Sequence, residues 1–119
     1  MKILRERFDD RSEPDEDGMY DYIYVGTVYS FEDNERRIRF RLYDDEPGIA
    51  GVTDPIAWSP EIYTSDIFRN AVDYLRLHES VDTIHVCDPT PPGRGFIAIN
   101  EAVKLARRKG LPVPQGFSD

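Results

Sequence analysis

The side chains best placed to do chemistry fall in one stretch, His85 to Gly95 (HVCDPTPPGRG). Asp88 follows the apolar run Asp82–Cys87 (DTIHVC), which reads as a strand. The carboxyl end of a strand that leads through a loop into a helix is where α/β folds place ligands. His85 and Asp88 can act as acid–base partners there, with Arg94 as a fork for phosphate or carboxylate. Gly93 and Gly95 flank Arg94 and permit close backbone approach, while the free amides that open the next helix can hold an anion. The loop lacks the dinucleotide fingerprint and the Gly-Lys-Ser/Thr of a phosphate loop, and its three prolines also suit a stiff structural turn. No cofactor is expected.

Other constellations point to weaker chemistry. Cys87 followed by Arg94 resembles the phosphatase loop of protein tyrosine phosphatases. That family has five residues between the two, this chain has six, and Val86 separates His85 from the cysteine. Cys87 is therefore expected to be a buried small hydrophobe. Glu13–Asp21 (EPDEDGMYD) resembles an EF-hand calcium loop, with oxygens on Glu13, Asp15, Asp17 and Asp21 and Gly18 at the turn. The twelfth position is Tyr24 instead of a bidentate Glu, and a strand follows where that family has a helix. A solvated acidic loop is the expectation. His78 and His85 have no acid, Cys or second His at zinc-ligand spacing, so no metal site is expected.

Charge and aromatic pattern point to a binding surface. Residues 1–66 hold 17 acids against 8 bases and residues 67–119 hold 6 against 7, which together make the net charge of -8. Such a molecule repels phosphate backbones, so nucleic acid is an unfavourable partner and a basic protein surface a favourable one. Arg37, Arg39 and Arg41 alternate along one segment beside Tyr22, Tyr24 and Tyr43. They are expected either to pair with the acidic loop or to form a Tyr/Arg protein-binding face. The partner-binding set is Asp15, Glu16, Asp17, Asp44, Asp45 and Glu46 for steering, with Tyr22, Tyr24, Arg39, Arg41 and Trp58 as contacts. Trp58 suits the core equally well.

The elements that must position these residues read as follows. Ile3–Phe8 is a short strand, and residues 9–19 an acidic solvated loop. Tyr20–Phe31 and Arg36–Tyr43 alternate apolar and polar residues and form a hairpin. A tight turn on Asp33-Asn34 would set Tyr29 opposite Ile38 and Thr27 opposite Phe40. Parity places Arg37, Arg39 and Arg41 on the other face. Asp44–Thr64, with three prolines and two glycines, is long for a plain connection and is expected to hide a short strand near Ile56–Trp58 or to form a functional loop. A helix runs from Ser65 to Glu79, capped by Thr64 or Ser65, and a second from Phe96 to Lys109, stopped by Gly110 and Pro112. Residues 111–119 form an extended tail.

These elements imply one α+β domain over residues 1–119. Its mainly antiparallel sheet starts from an N-terminal β-hairpin and carries two helices on one face, in the order ββ-αβα. No apolar run approaches membrane-span length, the start MKILRER lacks a signal-peptide core, and the single Cys87 forms no disulfide framework. The expectation is a small cytoplasmic protein-binding module, of inhibitor or immunity type, that occupies a basic surface of a partner. The competing expectation is an enzyme or an anion- or nucleotide-binding unit built on residues 82–109.

Overall fold

The computed structural model describes residues 1–90 and 95–115. Among them, six strands form one sheet in chain order: β1 (Lys2–Arg11), β2 (Ile23–Glu32), β3 (Arg37–Tyr43), β4 (Ile49–Asp54), β5 (Thr83–Cys87) and β6 (Phe96–Ala98). The helices are α1 (Pro60–Tyr63), α2 (Asp66–Glu79) and α3 (Ile99–Arg108). The pair β4–β5 is parallel and the other pairs are antiparallel. A parallel pair requires a crossover, which α1 and α2 supply. The architecture is α+β.

Alternation decides which face of the sheet is covered. Tyr29, Phe31, Ile38, Phe40, Ala50, Val52, Ile84 and Val86 point to one side and are buried there. Helix α2 presents Ile67, Phe68, Ala71, Val72 and Leu75 to them, and α3 presents Ile99, Ala102, Val103 and Ala106. The rings interlock: Phe31 meets Tyr74 edge-on at 5.6 Å and Phe40 at 5.7 Å, and Phe40 lies 6.2 Å from Phe68. Each fully buried aromatic or aliphatic side chain contributes roughly 1.5–3 kcal/mol by leaving water. Ser65 caps α2 through its hydroxyl, which accepts from the Phe68 amide at 3.3 Å. Gly110 ends α3 in the left-handed conformation, at φ 69°.

Several local expectations are corrected. The β2–β3 register is shifted by two residues, so Tyr29 faces Phe40 and Phe31 faces Ile38. The Asp33 carboxylate accepts from the amides of Glu35 and Arg36, at 3.1 and 2.8 Å, and thereby holds a longer turn. Because the shift is even, every side chain keeps its face. Strand β1 runs on to Arg11, so Asp9 and Asp10 belong to it and the acidic loop starts at Ser12. The hidden strand is β4, not Ile56–Trp58: pairing between β3 and β5 supplies what its Gly-containing sequence lacks in propensity. Phe96 lies in edge strand β6 instead of opening the last helix, which starts at Ile99.

Candidate functional site

Among the described residues, no helix covers the second face of the sheet. This face presents Phe8 from β1, Tyr24, Val28 and Ser30 from β2, Arg37, Arg39, Arg41 and Tyr43 from β3, and His85 from β5. The arginines do not pair with the acidic loop. Arg37 bonds Asp54, with Nη2 at 3.0 Å. Arg41 lays its guanidinium over the Phe8 ring at 4.7 Å. Arg39 Nε is buried and has no hydrogen-bond partner. The expected ion-pair layer is thus replaced by one lateral pair and one cation–π contact.

Both acidic segments reach the same end of this sheet. The β1–β2 connection projects there, and the turn after β3 returns beside it, where the Asp44 amide donates to the Val25 carbonyl at 2.9 Å. The seven acids of Asp9–Asp21 therefore join Asp44, Asp45 and Glu46, although more than 20 residues separate the two segments. Arg7 binds Asp44 through two bonds of 2.8 and 2.6 Å, and Arg11 binds Asp9 at 2.6 and 2.5 Å. These guanidinium hydrogen bonds hold the Asp44 and Asp9 carboxyls below the usual carboxylate range. Asp15 turns its carboxylate inward, accepting from the Asp17 and Met19 amides at 2.9 and 2.8 Å. Ser12 closes the loop by accepting from the Asp21 amide at 2.7 Å. Glu16 and Asp17 stay exposed.

Apolar side chains are exposed at the same end, on both faces of the sheet: alternation sets Tyr24 on the open face and Ile23 on the other. Met19, Tyr20, Tyr22, Ile23 and Tyr24 are each between 39% and 65% exposed, far above what large hydrophobic side chains in a core show. Tyr22 and Tyr24 stack at 5.4 Å, Tyr24 leans on Tyr43 at 5.9 Å, and Tyr43 meets Phe8 edge-on at 5.7 Å. Arg11 covers Tyr20 at 5.5 Å. The result is a held aromatic ladder whose outer rungs face water. Tyr22 and Tyr24, both exposed, were singled out by the sequence as candidate contacts. Met19, Tyr20, Ile23 and Phe8 were not, although the run MYDYIY beside seven acids is their signal.

The remaining candidates are dispersed. Asp88 is 5% exposed, and its Oδ1 accepts from the Thr90 amide and hydroxyl at 2.8 and 2.6 Å. Its own amide donates to Gly95 O at 2.9 Å, which closes the loop mouth. The carboxylate is therefore engaged in holding its loop, while His85 stands in mid-strand on the open face. Gly93 and Arg94 lie outside the described residues; Gly95 has φ 84°. Cys87 is half-buried instead of fully buried. Trp58 donates from Nε1 to Pro112 O at 2.9 Å and packs 5.2 Å from Tyr63, so it pins the tail beyond the far end of β4. A cleft of about 690 Å3 between α2 and α3 has an apolar floor of Phe68, Val72, Ile84 and Ile99 and a polar rim that includes Arg69, Asp73 and Arg76. Among the described residues, no group of three or more His, Cys, Asp or Glu is placed to hold a metal ion. None of the described helices is long and apolar enough to cross a membrane. Comparison with models of protein families, with curated proteins and with solved structures finds no match to this chain.

Proposed function

We propose that this chain is a protein-binding module that acts in the cytoplasm, of inhibitor or immunity type, and docks the acidic end of its sheet onto a basic surface of a partner. The observation that carries the reading is the exposed, stacked pair Tyr22 and Tyr24 at the end of the sheet where two acidic segments distant in sequence meet. An exposed apolar patch rimmed by polar groups is a common mark of protein interaction sites. Tyrosine anchors supply much of the energy of such interfaces, and the surrounding acids speed and orient the encounter. The partner would place Arg or Lys side chains on the faces of Tyr22 and Tyr24, where cation–π attraction adds to the charge complementarity. Cys87, half-buried and unpaired, fits a reducing compartment. The competing ligand-binding reading of residues 82–109 has less support, because Thr90 takes up the Asp88 carboxylate.

The test is affinity capture at low and high salt with three baits. The parent should retain a basic protein in stoichiometric amount, released as salt screens the contact. The triple variant Asp15→Lys, Glu16→Lys, Asp17→Lys and the double variant Tyr22→Ser, Tyr24→Ser should each lose it. Equal retention by either variant, or no partner for the parent at low salt, overturns the proposal.

A further inference from the structure

Among the described residues two glycines stand inside strands, and they differ in what holds them to glycine. A Cβ on Gly26 would lie 2.1 Å from the Leu42 carbonyl oxygen and 2.9 Å from the Phe8 ring, so close packing demands glycine there. A Cβ on Gly51 would meet nothing within 4 Å, and Gly51 is not among the glycines of positive φ. Neither sterics nor backbone conformation requires it. Glycine weakens a strand interior, and there it often marks a bulge or a place that a ligand or another backbone approaches closely. The β3–β4 register shift falls beyond Gly51, at Arg39/Phe40, and the Arg41–Gly51 pair is in regular register.

What surrounds Gly51 supports that reading. Strand pairing sets Arg41, Gly51 and His85 in one row across β3, β4 and β5. Adjacent strands are about 4.8 Å apart, so the two cation-forming side chains rise from backbones roughly 10 Å apart with no side chain between them. The gap is a hollow of about 240 Å3 on the open face. Ile49 and Tyr43 wall it toward the acidic end, and Phe96, 41% exposed on its edge strand, walls the other flank. Thr53 and Glu46 complete the rim. The Arg41 guanidinium rests on the Phe8 ring, 4.7 Å away and on the β2 side of its strand, so reaching the head group exchanges that cation–π contact for the carboxylate.

We propose that this hollow is a seat for a small aromatic carboxylate, with the head group between Arg41 and His85 and the ring over Gly51 against Ile49 and Phe96. The volume is that of about eight waters at ~30 Å3 each, which matches one ring with a short acidic substituent. Glu46 at the rim and the net charge of -8 disfavour polyanions relative to a single negative charge. A guanidinium–carboxylate hydrogen bond is among the stronger polar contacts, and the apolar walls shield it from water.

An amide-resolved NMR titration of the whole chain with benzoate tests the seat, with benzyl alcohol as its neutral counterpart. Benzoate should produce saturable shifts at Arg41, Gly51, His85 and Phe96, and benzyl alcohol should bind at least about tenfold more weakly. Gly51→Val fills the hollow without a clash in a β-favouring position, so it should fold and lose at least about tenfold in benzoate affinity. Arg41→Met should lose as much. The Tyr22→Ser variant, which leaves Tyr24 on Tyr43, should bind benzoate as the parent does, which separates this site from the protein-docking end. Absence of saturable shifts at millimolar benzoate, equal binding of the alcohol, or undiminished binding by Gly51→Val overturns the proposal.

Discussion

The two faces of one sheet are built from the same strands, yet they are held by different physics. On the helix-covered face, Phe31, Ile38 and Phe40 are fully buried, and exclusion of water fixes each ring against its neighbours. On the open face Arg37, Arg41 and Tyr43 lie one residue out of phase with them, and their order comes from lateral contacts: a carboxylate, an aromatic face, a tilted tyrosine. The covered face therefore carries the stability of the molecule, and the open face is left to carry its contacts. Substitutions on the two faces should separate these roles.

The largest effect belongs to the covered face. Phe31→Ala should destabilise by about 3–5 kcal/mol through lost transfer energy and a residual cavity, read by urea unfolding. Tyr24→Ala on the open face should stay below about 1 kcal/mol in the same experiment, and a cost like that of Phe31 would erase the contrast. Next come the strand glycines. Gly26→Ala drives a methyl into the Leu42 carbonyl and should lose about 1–3 kcal/mol. Gly51→Ala should instead gain about 0.5–1 kcal/mol, since it only relieves the conformational freedom of glycine in a strand. At roughly 4 °C per kcal/mol, calorimetry resolves the two signs.

Smaller effects sharpen the picture. Arg39→Met keeps the stem and removes a guanidinium whose Nε has no partner, so stability should change by less than about 1 kcal/mol. A loss well beyond that would mean that the other guanidinium nitrogens make bonds that matter to the fold. The smallest effect is the acid response of Asp44. Its folded-state pKa is depressed by Arg7, so its contribution is present above the unfolded carboxylate pKa and fades as pH falls through the folded one. Asp44→Asn should therefore narrow the stability difference between neutral pH and pH below about 4, measured by circular dichroism during urea unfolding. The pair is exposed, so added salt should blunt the difference.

Local chemistry determined much of this protein from sequence alone. The two-residue alternation of RRIRFRLY assigned every side chain of β3 to its face, and that assignment survived a register error, because an even shift preserves parity. Ser65 capping α2, the apolar strand ending at Cys87 and the stop at Gly110 are likewise written in adjacent residues. Tertiary structure decided the rest. The β2–β3 register depended on how the Asp33 carboxylate folds the turn, and β4 exists because two neighbours pair with a short Gly-containing segment inside the Pro- and Gly-rich stretch 44–64. The acids of 9–21 and 44–46 meet only because β1, β2 and β3 run antiparallel. Arg41, Gly51 and His85 share a row because three strands align, a relation between residues tens of positions apart that no local pattern carries.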